Sequence, residues 1–190
     1  TRASKGVNRL LYIVKDLDLL TQLETQKQAL VMSNFDIVEH VKNIFELLEI
    51  RAAKANISLE FDKDYLFPIE VHADEKRIQQ VVTNLIVNSI KYGKKKGTTE
   101  VRFEDVDKHT IKVHFADNGE GIAEEHLPRL FERFYRVDKS GSRKDGGSGL
   151  GLSIVKHIVE AHHQEMFVES KVDIGSQFSF TLDKATYSVD

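Results

Sequence analysis

Cysteine is absent from this 190-residue chain, which excludes disulfides and thiolate catalysis and suits a reducing compartment. Long apolar runs are absent as well. No stretch approaches the roughly 20 apolar residues that a bilayer crossing needs, and no signal peptide is visible. An excess of charge is missing too, since 27 basic and 30 acidic side chains give a formal charge of −3. That balance neither suggests a nucleic-acid surface nor forbids a small anion held locally. The first residue is Thr1 rather than methionine, so the chain reads as a fragment, and any membrane connection would run through regions beyond it. What is present is a 41% apolar fraction, enough for one full domain with a real core plus an appendage.

The appendage comes first. Residues 2–28 carry Val7, Leu10, Leu11, Val14, Leu17, Leu20 and Leu23 at three-to-four spacing, which predicts one helix with a broad apolar face. No returning partner lies within those residues, so the face predicts half of a hairpin or bundle, most simply covered by dimerisation. A helix packed on its own domain is the alternative. The domain proper is expected from about Leu30, with a short strand at 30–32. A helix then runs from an Asp36 cap to about Ala53, with Glu39 placed to complete a capping box. Ile57 to Phe61 alternates as a half-buried strand does, Leu66-Phe67-Pro68 turns, and a short strand follows at 70–72. Asp74 caps the next helix, which presents Ile78, Val81, Val82, Leu85, Ile86 and Ile90 on one side and ends at Gly93.

The remainder predicts strands at 98–104 and 110–116, a helix around 124–131, and a soluble Gly/Ser/Lys/Arg-rich interval at 137–148. A helix at 150–162 and strands at 165–170 and 176–182 complete the order. This order predicts an α+β fold, a two-layer α/β sandwich on one mixed sheet, because the alternation is too irregular for a doubly wound sheet.

Four segments carry chemistry. In Gly147-Ser148-Gly149-Leu150-Gly151-Leu152, glycines permit close backbone approach to a ligand and the helix that follows offers its first N–H groups to phosphate. It lacks the Gly-Lys-Ser/Thr ending of a phosphate-binding Walker loop, and no strand precedes it as a dinucleotide fingerprint requires. A structural turn would use the same residues. In Asp117-Asn118-Gly119-Glu120-Gly121-Ile122, Asp117 ends a strand, where its carboxylate could accept from a purine amine or could simply organise an Asp-Asn-Gly turn. Asn84, Asn88 and Lys91 share one helix face beside Tyr92. Two amides and an ammonium there suit a hydrated Mg²⁺ with polyphosphate, although a polar outer face would also display them. In Phe131-Glu132-Arg133-Phe134-Tyr135-Arg136, rings could anchor a loop while Arg136 reaches a terminal phosphate. Packing plus surface charge accounts for that segment equally well.

Together these segments resemble the catalytic and ATP-binding domain of sensor histidine kinases, in the superfamily of gyrase, heat-shock chaperone and mismatch-repair ATPases (the Bergerat fold). Asn84 to Tyr92 resembles the N box, Asp117 to Ile122 the first glycine box, Phe131 to Arg136 the F box and Gly147 to Leu152 the second glycine box. Gly175-Ser176-Gln177-Phe178 extends the likeness toward the end of the chain. The resemblance implies ATP and Mg²⁺ as cofactors, with Asn88 on the metal, Asn84 nearby, and Lys91 and Tyr92 toward the phosphates. It implies Asp117 on the adenine amine, with Gly119, Gly121 and Ile122 shaping that pocket. Gly147, Gly149, Leu150, Gly151 and Leu152 would place phosphate beneath a lid at 137–148, and Arg136 would assist transfer of the γ-phosphoryl group. Asn84, Lys91 and Arg136 are thus the expected catalytic set.

The resemblance also divides the chain into residues 1–29, the second helix of a dimerising phosphoacceptor hairpin, and 30–190, the catalytic domain. It implies self-association through the complete hairpin and relay to the receiver-domain aspartate of a response regulator. It places this stretch in the cytoplasm and the full-length protein in the bacterial inner membrane, with no nucleic-acid partner. Two departures stand out. Ala161-His162-His163-Gln164 replaces a His-Gly-Gly turn, and none of the eight histidines sits in an acceptor motif followed by proline, since the only prolines are Pro68 and Pro128. The acceptor helix is therefore expected upstream. Hydrolytic relatives carry a water-activating glutamate where Asn84 stands, so transfer is expected over hydrolysis. An ATPase or serine-directed kinase of the superfamily, or a non-catalytic ATP-sensing or scaffolding module, remain the competing readings.

Overall fold

The computed structural model describes residues 2–25, 29–137 and 148–186. Helix α1 spans Arg2–Glu24, β1 Met32–Asp36, α2 Ile37–Ala55, β2 Ile57–Phe61, β3 Glu70–Asp74 and α3 Glu75–Tyr92. Strands β4 (Gly97–Asp105) and β5 (Thr110–Asp117), helix α4 (Gly151–Ala161), and strands β6 (Met166–Lys171) and β7 (Gly175–Asp183) follow. The main sheet has the order β2-β4-β5-β7-β6, parallel between β2 and β4 and antiparallel elsewhere. β1 and β3 form a separate antiparallel ribbon. Helices α2, α3 and α4 cover one face of the main sheet, giving the expected two-layer sandwich on a mixed sheet.

Local chemistry explains where the helices start and stop. Asp36 closes β1 and caps α2, accepting from Val38 N at 3.0 Å and also from Ile69 N at 3.0 Å. The expected capping box is not its partner: Glu39 faces Lys42 at 3.6 Å. Asn56, at φ 54°, ends α2 with its N–H on the Ala52 and Ala53 carbonyls, a left-handed cap that asparagine tolerates. Asp74 caps α3 through Arg77 N (3.1 Å) and also takes Val31 N (2.9 Å), so one carboxylate ties the ribbon to the helix.

The inner face of the sheet is read off its register. Val101, Phe115, Phe178 and Val168 form one cross-strand row, and Phe103, Val113, Phe180 and Met166 the next. These rows meet Ile78, Val82, Leu85 and Ile86 of α3 and Ile154 and Ile158 of α4 in one continuous core. The fully buried among them, such as Val101, Val113, Phe180, Ile78 and Ile86, each contribute about 1.5–3 kcal/mol relative to exposure.

Two expectations change. The helix expected around 124–131 is a 3₁₀ turn at Glu124–Arg129 with Pro128 inside it, since proline removes a donor and blocks α-helical continuation. The strand expected at 30–32 starts at Met32 and runs to the cap at Asp36. The apolar face of α1 is split. Leu20 is fully buried and Ile13, Leu17 and Leu19 pack on the core, while Val7, Leu10, Leu11 and Val14 stay exposed. The interval expected to form a lid, apart from Val137 and Ser148, lies outside the described residues, as does Gly147.

Candidate functional site

The inner sheet face is apolar until its last row. There the register aligns Thr99 of β4, Asp117 of β5, Ser176 of β7 and Ser170 of β6. Alternation requires this: Asp117 follows Ile111, Val113 and Phe115 on the same side of β5, and Ser176 precedes Phe178 and Phe180 on β7. A polar row at the rim of an apolar floor is where a flat, partly apolar ligand with a polar edge would sit.

Asp117 Oδ1 accepts from Gly119 N at 2.9 Å. The turn expected of Asp-Asn-Gly is thus formed, and Asn118 continues it by accepting from Thr98 N at 2.9 Å. Burial raises the Asp117 pKa above the ordinary carboxylate value, opposed by backbone N–H bonds from Gly119 and Ser176 that favour the anion. Gly121 sits at φ +71°, and a Cβ there would collide with the Lys171 carbonyl, so the first glycine box can lie against β6 only because it lacks a side chain. Ile122 N then donates to Ser170 Oγ at 2.8 Å.

The other end of the site is made by helices. Asn84 Nδ2 of α3 reaches the Gly151 carbonyl at 3.5 Å, which brings the N box against the first turn of α4. No side chain caps that turn, so its leading N–H groups keep their capacity for an anion. Gly149, at φ +74°, accepts from Phe134 N at 2.9 Å, and a Cβ there would press on the Phe134 backbone. The F box and second glycine box are therefore clipped together. Lys91 Nζ lies 4.8 Å from the Tyr92 ring centroid, and Tyr92 backbone packs beside Gly119. Asn88 and Leu152 are half-buried, Leu150 is buried, and Arg136 is half-buried and partnered.

Of the expected residues, Asp117, Gly119, Gly121 and Ile122 meet at the sheet rim, and Asn84, Gly149, Leu150 and Gly151 lie at the α3–α4 contact. Helix α1 also touches the second cluster. Asp16 accepts from the Ser148 hydroxyl, while burial raises its pKa. Thr99, Ser170 and Ser176 were not anticipated as site residues. Their signal is strand parity, which becomes usable only when the register is known. The opposite sheet face holds a chain of Ser179, His114 and Glu104, each contact 2.9 Å. Ser179 is only 2% exposed, so this chain braces the sheet and cannot act as a nucleophile.

For Mg²⁺, the donor chemistry is informative. Among the described residues no cluster of three His, Cys, Asp or Glu could hold a metal. The Asn84 amide donates its N–H toward Gly151, leaving its oxygen, like that of Asn88, to accept. A site of amide oxygens without a carboxylate cage fits Mg²⁺ that keeps waters and takes its remaining ligands from phosphates.

Comparison with known proteins agrees with this geometry. Residues 73–186 match the family described as histidine kinase-, DNA gyrase B-, and HSP90-like ATPase. The phosphate regulon sensor protein PhoR of Haemophilus influenzae is 43% identical over 116 residues, 61% of this chain and 27% of that protein. The sensor histidine kinase CusS of Escherichia coli K12 is 35% identical over 176 residues, 93% of this chain and 36% of that protein. The chain therefore spans about a quarter to a third of these relatives. Full-length ShkA in complex with AMPPNP superposes with TM-score 0.84 at 26% identity, covering 96% of this chain and 37% of that one. Histidine kinase ThkA in complex with response regulator TrrA gives TM-score 0.74 at 28% identity, covering 96% and 49%. With a family match over more than half its length and sensor kinases among its relatives, the chain belongs to the histidine kinase-, DNA gyrase B- and HSP90-like ATPases, as an ATP-binding catalytic domain of the sensor histidine kinase kind.

Proposed function

We propose that this chain binds Mg²⁺–ATP between its two clusters and transfers the γ-phosphoryl group to a histidine on a helix upstream of it. The observation that carries the reading is the span of α3. Tyr92 backbone meets Gly119 at the sheet rim and Asn84 meets Gly151 at the α4 N-terminus, two points about 12 Å apart along the helix axis. That length separates a base from its polyphosphate.

In this reading Asp117 holds the adenine amine and the α4 N-terminus receives phosphate. Lys91 and Arg136 offset negative charge as the γ-phosphorus is attacked. Asn88 would hold Mg²⁺ through its amide oxygen with Asn84 nearby, and the ion would offset charge on the polyphosphate. The imidazole nitrogen forms the new N–P bond, the bond to the β-phosphate oxygen breaks, ADP leaves and the imidazole proton passes to solvent. Asn84 is an amide and cannot take a proton from water, which supports transfer over hydrolysis. Residues 1–29 would form one helix of the acceptor hairpin, 30–190 the catalytic domain, and 137–148 its lid. The exposed Val7, Leu10, Leu11 and Val14 of α1 suit burial against the rest of that hairpin and a second subunit. Relay to a response-regulator aspartate follows, with this stretch on the cytoplasmic side. No helix among the described residues is long and apolar enough to cross a membrane, so any anchoring in a bacterial inner membrane would use other regions.

The test is transfer of labelled γ-phosphate from Mg²⁺–ATP to a separately supplied, folded acceptor hairpin. Label on the hairpin histidine is the expected result. Tight ATP binding with an unlabelled hairpin would instead favour an ATP-sensing module.

A further inference from the structure

Within that nucleotide reading, we propose that Ser170, which need not touch the nucleotide, sets base specificity by fixing the direction of the Ser176 hydroxyl proton. A serine hydroxyl has one proton to give and two lone pairs to receive. Ser170 Oγ makes three contacts: Ile122 N at 2.8 Å, Gly175 O at 2.9 Å and Ser176 Oγ at 2.8 Å. The Ile122 N–H can only donate and the Gly175 carbonyl can only accept. One assignment satisfies all three contacts, and in it Ser176 donates to Ser170.

The consequence reaches the ligand. With its proton turned along the row, Ser176 can offer a ligand only lone pairs. Its register partner Asp117 offers carboxylate oxygens, of which Oδ1 already accepts from Gly119. Thr99 completes the row but is fully buried and bonded to Ser89 Oγ at 2.6 Å. The reachable part of the row therefore presents acceptors alone. Adenine carries an amine at the edge where guanine carries a carbonyl oxygen. An acceptor-only rim welcomes the first and opposes the second, because a site without a donor leaves that oxygen unpaired. A serine at 176 free to rotate would supply the missing donor. Ser170 withholds it, and so acts as a positioning residue for specificity.

The experiment measures dissociation constants for the β,γ-imido analogues of ATP and GTP by calorimetry, in the unmodified chain, Ser170→Ala, Ser176→Ala and the double variant. The unmodified chain is expected to favour the adenine analogue. Ser170→Ala is expected to lower the GTP/ATP ratio of constants about fivefold, the weight of one hydrogen bond. Ser176→Ala is expected to lower it similarly, and adding Ser170→Ala to that background to change it no further.

A merely structural Ser170 would weaken both analogues equally, and an unchanged ratio in the single variant would overturn the proposal. So would a further drop in the double variant. Should Ser170→Ala fail to fold, an unchanged ratio in Ser176→Ala alone would overturn it. Equal affinity of the unmodified chain for both analogues would end this inference while leaving nucleotide binding intact. Binding of neither would remove the nucleotide reading itself.

Discussion

The two ends of the site are built by different means. At the sheet rim, position follows from register: Asp117, Ser176 and Ser170 are fixed by the same ladder that fixes Phe115, Phe178 and Val168 in the core. Ser170 and Ser176 are bonded to each other and Asp117 to backbone N–H groups, so the polar atoms of the rim are already engaged with protein partners. At the α3–α4 contact, Asn84 and Gly151 meet through one bond of 3.5 Å, and the α4 N-terminus has no side-chain cap. This end has capacity left over, as a site for a charged, exchanging group should. A closed network favours discrimination, while open donors favour turnover.

Removing the rim carboxylate should therefore give the largest effect. Asp117→Ala is expected to weaken ATP about 10- to 100-fold, the range for a bond to a charged group, with or without Mg²⁺. Calorimetry with each ion condition checks it, and an affinity within twofold of the unmodified chain would break the assignment of the rim to the base. The helical end predicts a different pattern. Asn88→Ala is expected to weaken Mg²⁺–ATP about tenfold while leaving metal-free ATP unchanged. A loss of the same size in both conditions would mean that the two ends are not separable as described.

This asymmetry also decides what the sequence could reveal. The helical end was legible because a helix face is a local property: Asn84, Asn88 and Lys91 share a face by spacing alone, whatever packs on it. An apolar side at helical spacing likewise located α3, the Asp36 cap located the start of α2, and alternation located β2. The rim was only half legible. Asp117 and its glycines announce a turn, yet Ser170 and Ser176 are common residues whose meaning depends on pairing between strands far apart in order. The helix expected around 124–131 is a 3₁₀ turn at Glu124–Arg129, where Pro128 blocks α-helical continuation. For α1, periodicity indicated an apolar face but not its division, in which Leu20 is buried by this domain and Val14 is left exposed.

The ends are joined by the segment leaving α4 for β6, and its histidines test how tightly. His162 is buried, and Asp74 N donates to its Nε2 at 3.0 Å while Nδ1 contacts the Ile158 carbonyl at 2.8 Å. The carbonyl requires the proton on Nδ1, so the neutral ring bridges the end of α4 to the cap of α3. Burial lowers the His162 pKa below 6.5, only partly offset by the Ile158 bond and by Asp74 and Asp183, with His163 lowering it further. The unfolded chain then takes up a proton that the folded ring resists. Stability from this ring is full above about pH 6.5 and falls as pH drops below it, by up to about 1.4 kcal/mol per pH unit. His162→Gln keeps an acceptor for Asp74 N and a donor for Ile158, and should flatten that slope in urea unfolding between pH 7 and 5.5. His40, His114 and His157 are also lowered by burial, so part of the slope should persist. An identical slope in the variant would show that the bridge does not couple to protons.

The smallest effect separates the two residues that stand where a His-Gly-Gly turn was expected. The turn survives their substitution, but unequally. His163 takes the left-handed conformation, φ 58°, which an L side chain adopts at some strain and glycine adopts freely. Gln164 is not strained and is engaged: its Nε2 donates to Asp183 Oδ1 at 2.8 Å and its Oε1 accepts from Thr181 Oγ1 at 2.7 Å. His163→Gly should therefore stabilise the fold by about 0.5–1 kcal/mol, the strain relieved exceeding the entropy that glycine adds to the unfolded chain. Gln164→Gly should destabilise it by about 1 kcal/mol or more through the lost bonds. Opposite signs in thermal unfolding are the expected outcome. If both substitutions shifted the midpoint the same way, backbone strain would not be what distinguishes these positions. The turn could then no longer be described as a glycine geometry retained by a histidine and anchored to β7 by its neighbour.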